Sequence, residues 1–134
     1  MIKEATKYVG IPYKKGGKTR QGLGCFGLVE LFFLEHFKIH LLIEDGFLSN
    51  ENHFKEVAIN FKDIRDLDIL NFKIPRCLKG GHLYHCGVFI KDYIFHSQIP
   101  NGVSLEWFIN YYHNRHLFKI YRLKNESNTS QDNS

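Results

Sequence analysis

Cys25 stands where a glycine-rich run, Lys15-Gly16-Gly17-Lys18-Thr19-Arg20-Gln21-Gly22-Leu23-Gly24, meets a long apolar stretch over residues 25–37. If that stretch is a helix, the sulfur lies at its N-terminal end, where unpaired amides and the helix dipole favour thiolate over thiol. Gly22, Gly24 and Gly27 around it leave room for a substrate backbone to approach. A nucleophilic cysteine needs a base to take its proton, and the base needs a polar group to hold its tautomer. His85 lies in a run that otherwise reads as an apolar strand, Cys86-Gly87-Val88-Phe89-Ile90, and Gly87 leaves a gap on the same face, where a buried helix could press in. His96 lies in the next strand, beyond a Lys91-Asp92 connection. A hairpin that sets Ile90 near Tyr93 brings the two imidazoles to cross-strand neighbours, which stand about 5 Å apart on one face. The residues thus predict a Cys-His-His arrangement in which Cys25 attacks, His85 is the general base and His96 orients it. The blander alternative is a small residue packed at a helix end and histidines satisfied in the core.

Other chemistries fit less well. Gly17-Lys18-Thr19 hints at a phosphate-binding loop, but the glycine needed six residues before the lysine is Pro12, which has no amide hydrogen to donate. Cys77, His82, His85 and Cys86 fall within ten residues, with His113 and His116 further on, and thiolates with imidazoles suit zinc. Adjacent residues of a strand point to opposite faces, however, and the paired ligand spacing is missing. Cys77 and Cys86 therefore read as buried apolar thiols. Lys14, Lys15, Lys18 and Arg20, interleaved near Tyr8 and Tyr13, raise nucleic-acid binding. A net charge of only +4 and the lack of a nucleic-acid motif favour a solvated basic rim.

The elements that must position these residues come from a chain of 134, the size of one domain. Apolar residues make up 43% and aromatics 15%, a folding composition that excludes a wholly disordered or collagen-like chain. Three cysteines cannot pair completely, so at least one thiol is expected to be free. No apolar run approaches the roughly 18 residues that span a bilayer, so no membrane partner is expected. The opening MIKEATKYVG has neither an apolar signal core nor a cleavage site. Residues 124–134 contain no apolar side chain and are expected to form a disordered polar tail, leaving a folded domain over residues 1–123.

Ile2, Ala5 and Val9 recur at helical spacing until Gly10 and Pro12 intervene. Residues 25–37 are apolar on most faces and predict a buried helix. A third helix is predicted over residues 50–61, with Phe54, Val57, Ala58 and Phe61 on one side and Ser49 as its cap. Residues 67–72, 83–90, 93–97 and 117–123 read as strands, with Lys91-Asp92 as a tight turn. Helices first and strands afterwards predict an α+β domain, N-terminal helices packed on a central antiparallel β-sheet.

Taken together, these blocks resemble the NlpC family of papain-like cell-wall endopeptidases. Tyr8-Val9-Gly10-Ile11-Pro12-Tyr13, then Gly16-Gly17, then Gly24-Cys25-Phe26-Gly27-Leu28-Val29 is similar to Y-x-G-x-P-Y, G-G and D-C-S-G-L-V. Leu67-Asp68-Ile69-Leu70-Asn71-Phe72 looks like G-D-L-V-F-F, His85-Cys86-Gly87-Val88-Phe89-Ile90 like H-V-G-I-Y, and Ile94-Phe95-His96-Ser97 like I-H-A. The resemblance implies Cys25 as nucleophile, His85 as base, His96 as third member, and Tyr13 as the tyrosine whose hydroxyl lies near the oxyanion. It further implies a papain-like fold, no cofactor, and cleavage next to γ-D-glutamyl residues of peptidoglycan stem peptides. Two positions depart: Gly24 replaces an aspartate and Phe26 a serine, side chains that in the family face the substrate stem.

The leading expectation is a cysteine hydrolase cleaving a peptide or amide bond of a peptidoglycan fragment. A related reading keeps the nucleophile but makes the protein an amidase or acyltransferase. Another makes it a non-catalytic binding or assembly module, with Phe26 filling the site. With no export signal in view, the expected settings are a cytoplasmic recycling enzyme, a phage-encoded enzyme, or a protein secreted by a dedicated system.

Overall fold

Among the described residues, ten strands and two α-helices build the domain around an antiparallel sheet. The structure is a computed structural model that describes residues 1–44, 47–48, 53–75, 82–111 and 113–124, with His82 in backbone only. The readings that fall on Ser49, Asn50, Cys77 and the tail beyond Lys124 lie outside the described residues. Helix α1 (Ile2–Thr6) leads through a turn to the hairpin of β1 (Lys18–Thr19) and β2 (Gly22–Leu23), and helix α2 (Cys25–Phe37) follows. After the small β3 (Ile43–Glu44) and β4 (Phe47–Leu48) pair come β5 (Phe54–Val57), β6 (Ile69–Pro75), β7 (His82–Ile90), β8 (Tyr93–Gln98), β9 (Gly102–Trp107) and β10 (Leu117–Leu123). These last six form one sheet in the order β5-β10-β6-β7-β8-β9, every pair antiparallel. The domain is α+β, as the sequence predicts.

Both faces of the sheet are covered. Leu28, Val29, Phe32 and Phe33 of α2 have no exposed surface and pack on Ile69, Val88, Ile90 and Phe95. Burying each such side chain contributes about 1.5–3 kcal/mol, so this layer holds the helix to the strands. On the other face Leu70, Phe72, Phe89 and Ile94 meet Phe108, Tyr111 and Ile120. Lys91 and Asp92 close the β7–β8 hairpin with φ of 52° and 71°, the paired left-handed conformation of a two-residue hairpin turn. The buried Asp68 carboxylate takes two hydrogen bonds from Arg122, at 2.9 and 2.8 Å, and one from the Arg65 amide, tying the chain before β6 to β10.

Three sequence expectations need correction. No α-helix forms at residues 53–61: Phe54–Val57 is an edge strand paired with β10, Phe54 opposite Leu123 and Val57 opposite Ile120, and only a 3₁₀ turn begins at Phe61. Phe54 and Val57 are three apart, a helical spacing, but in a strand an odd offset sends them to opposite faces, and here each face has a core. Ala58 and Phe61, expected on the buried side, are exposed. Helix α1 also ends earlier than its periodicity suggests, at Thr6. Val9 is exposed and Tyr8 buried instead, its ring edge-on to Phe32 and Phe95 and its hydroxyl bonded to Glu35. Finally, residues 102–107, to which the sequence pattern assigns no element above, form β9.

The glycine-rich run folds back against the start of α2. Gly17 sits so close to Gly27 that a Cβ at Gly27 would collide with the Gly17 carbonyl oxygen. Arg20 lies over the Tyr8 ring and pairs with Glu35 at 2.6 Å, while Lys18 pairs with Glu30 at 3.1 Å. The hairpin is thereby fastened along the length of α2, and Tyr8, considered above for stacking on bases, is not accessible. Gly27→Ala is expected to destabilise the fold by about 1–3 kcal/mol, the usual cost of overpacking. Urea denaturation followed by far-UV circular dichroism checks this; wild-type stability would contradict the packing described.

Candidate active site

Three of the residues singled out in the sequence, Tyr13, Cys25 and His85, line one cleft, and the fourth, His96, is buried behind His85. Cys25 is the first residue of α2, and its helix starts without a side-chain cap because Gly24 has none to offer. The first-turn amides are therefore open to an anion. Cys25 is half-buried and lines a cleft of about 290 Å³ walled by Tyr13, Ile74, Tyr84, His85, Ile99 and His113. Tyr13 is placed by a bridge to Leu23 at the end of β2. Its hydroxyl is held above its ordinary value by burial and by the negative charge on Cys25.

The imidazoles come from the hairpin. His85 Nε2 lies 2.8 Å from His96 Nδ1, and His96 Nε2 lies 3.0 Å from Glu106 Oε1 on β9. Burial, together with the charge of His85 and His113, pushes His96 down to about 3, so it is neutral at ordinary pH. A carboxylate can only accept, so His96 carries its proton on Nε2 and presents a bare Nδ1. His85 must then donate from Nε2 to His96, which leaves His85 Nδ1 for the sulfur. The Cys25 thiol is lowered to about 4 by hydrogen bonding from the Cys86 thiol, then by hydrogen bonding and charge from His85 and by the Cys86 amide, against the opposing effect of burial. The arrangement can generate a thiolate, take up its proton, and hold the receiving ring in one tautomer.

The packing explains why the rings stay aligned. A Cβ at Gly87 would come within 2.8 Å of Ile94, 2.9 Å of the Phe95 carbonyl and 3.0 Å of His96 Cβ. The gap at Gly87 serves the neighbouring strand and His96 itself, not the helix expected from the sequence. Phe72 and Tyr111 flank the pair: the Tyr111 ring stands edge-on to His96 with centroids 5.0 Å apart, and Phe72 lies 5.9 Å from His85. Ser97 Oγ donates to the Leu23 carbonyl at 2.6 Å, which locks β8 to the segment just before Cys25.

The sequence reading does not single out Glu106, and it weighs His113 only as a zinc ligand, not as part of this cleft. Glu106 was legible in principle, since Gly102-Val103-Ser104-Leu105-Glu106-Trp107 alternates with period two, burying Val103. His113 belongs to a short 3₁₀ connection whose approach to the cleft no local pattern announces; burial and the charges of His85, His116 and Arg115 lower its basicity. The two departures at the helix start have structural consequences. A Cβ at Gly24 would press on the Lys14 carbonyl at 3.1 Å and the Gly16 amide at 3.2 Å, so the loop has closed into the room a larger side chain needs. Phe26 is half-buried against the α2 core instead of lining the cleft. A larger depression, about 430 Å³ and lined by Phe61, Phe89, Trp107 and Phe108, lies apart from this cleft and contains no thiol or imidazole.

Comparison with known proteins agrees on the fold. The NlpC/P60 family pattern matches residues 10–122. A protein of Haemophilus influenzae named probable endopeptidase is 29% identical over 118 residues, covering 87% of this chain and 69% of that one. The crystal structure of the NlpC/p60 domain of peptidoglycan hydrolase SagA superposes with a TM-score of 0.64 at 19% identity, covering 91% of this chain and 95% of that chain. An NlpC/P60 family protein from Bacillus cereus gives 0.67 at 19% identity, over 91% of this chain and 38% of its own.

Alkylation of Cys25 by iodoacetamide should stay near its plateau down to about pH 5 and fall only toward the titration of the thiol near 4, because the thiolate is the reactive form. Peptide mapping against pH measures it. A profile rising only above about pH 8, that of an ordinary thiol, would contradict the site as described.

Proposed function

The chain belongs to the NlpC/P60 family, and from that premise we propose that it is a cysteine endopeptidase cleaving a γ-D-glutamyl bond in peptidoglycan stem peptides. The observation that carries this reading is that Cys25 shares its cleft with His85, whose ring is hydrogen-bonded to His96 and through it to Glu106. Cys25 passes its proton to His85 Nδ1, and the sulfur attacks the carbonyl carbon of the scissile amide. The resulting oxyanion sits at the open end of α2, where the Cys25 amide and the Tyr13 hydroxyl donate to it. His85 returns the proton to the leaving nitrogen, the C–N bond breaks, and a thioester remains on Cys25. Water, deprotonated by His85, then attacks the thioester and releases the carboxylic acid and the thiol. His96 and Glu106 stay in place throughout and hold the His85 tautomer.

The papain-like fold supports the peptidase reading over a bare binding module, because a module needs neither an ionised sulfur nor a tautomer-fixing carboxylate. Gly24 and Phe26 bear on a different step. With the loop closed over Gly24, the stem peptide is held without a carboxylate at that position. We therefore expect specificity to rest on the cleft walls, Ile74, Tyr84, Ile99 and His113.

Incubation of purified stem-peptide fragments with the protein, read by mass spectrometry, tests the assignment. Cys25→Ala is expected to lower turnover by about a thousandfold or more, since the triad logic has no substitute nucleophile. Undiminished cleavage would remove the proposal. Glu106→Gln permits the wrong His96 tautomer and is expected to lower kcat about ten- to a hundredfold with little change in KM. An unchanged kcat would show that the carboxylate has no such role.

A further inference from the structure

The sheet face beneath α2 holds buried polar side chains among its hydrocarbon, and two of them lie side by side. Cys86 on β7 and Asn71 on β6 are both fully buried, and they are register partners directly across the two strands. Directly opposed residues share a face, so the thiol and the amide lie side by side. Both stand where the family pattern quoted above has an apolar residue, valine and phenylalanine. The Asn71 amide nitrogen and oxygen have no hydrogen-bond partner. A buried amide left unpaired costs about 1–3 kcal/mol, so this pair weakens a core that hydrocarbon would fill better.

The Cys86 thiol does have a partner. Its Sγ–H donates to the backbone carbonyl of Cys25, at 3.5 Å. Burial, and then the charge on Cys25, hold Cys86 well above the ordinary thiol range, so it remains a donor while its neighbour ionises. The thiol that bonds the Cys25 carbonyl is also the largest of the influences lowering the Cys25 thiol, because a donor beside that sulfur favours its ionised form. Adjacent residues of β7 thus reach the nucleophilic position by different routes: His85 through its ring, Cys86 through its thiol.

We propose that Cys86, paired with Asn71, is a positioning residue for the nucleophile, its thiol fixing the first turn of α2 where the Cys25 sulfur meets the His85 ring. This rests on the reading of Cys25 as the nucleophile. The polar pair gives up core stability for a second donor behind the sulfur.

The test is the pH profile of Cys25 alkylation by iodoacetamide, read by peptide mapping on the full chain, for wild type, Cys86→Val and Cys86→Ser. In Cys86→Val the midpoint is expected to rise by about one pH unit, the size of one lost hydrogen bond to a charged group. Cys86→Ser, which keeps a donor, should restore most of the shift. The double variant Asn71→Leu with Cys86→Val rebuilds a matched apolar pair; it should melt above wild type yet keep the raised midpoint, and it replaces Cys86→Val if that protein fails to fold. A folded Cys86→Val or double variant with the wild-type midpoint would overturn the proposal, as would a serine variant no better than valine. Stem-peptide cleavage is not part of this readout, so a wrong substrate and a wrong role for Cys86 give different results.

Discussion

The hydrogen bond between two buried imidazoles is the constraint around which the rest is arranged. His85 and His96 can meet at 2.8 Å only if two strands approach closely, and they do so because Gly87 offers no side chain. Their donor and acceptor roles are fixed from outside, by Glu106 on the next strand. Their burial between Phe72 and Tyr111 keeps His96 neutral, so that it accepts and does not repel. Remove any one of these and His85 gains freedom to turn its nitrogen away from the sulfur. Three strands, β7, β8 and β9, therefore serve one ring orientation.

Cys25 is held by a different set of forces. Helix α2 is pressed to the sheet by aromatic and aliphatic burial, and the glycine-rich hairpin wraps its start through the Gly17–Gly27 approach. Because Gly24 leaves the helix uncapped, its first amides face the cleft and the sulfur. A larger, polar residue there would compete for the same amides and would need the loop to open. The closed loop and the open helix end are thus two aspects of one choice of residue.

Much of this was legible in the sequence. The glycine-to-apolar boundary locates Cys25, and the two-residue turn at Lys91-Asp92 sets Ile90 opposite Tyr93, which puts His85 and His96 on one face, two positions out of register. What misled was a sheet buried on both faces. Phe54 and Val57 look like one stripe of a helix because a strand with cores on each side buries odd and even positions alike. The strand carrying Glu106 alternates properly, but a carboxylate at its end reads as solvent-facing until its neighbour is known to be a buried histidine. Asn71 and Cys86 lie forty or more residues beyond Cys25 in the chain, and only strand register shows that they lie together behind it.

The central claim is that Glu106 sets the direction of the proton chain by fixing His96 as the neutral Nε2–H form. Long-range ¹⁵N–¹H correlation on histidine-labelled protein at pH 7 reads this directly. The account predicts a His96 ring with its proton on Nε2 and an unprotonated Nδ1. A His96 protonated on Nδ1, or on both nitrogens, would reverse the donor and acceptor along the chain and contradict it.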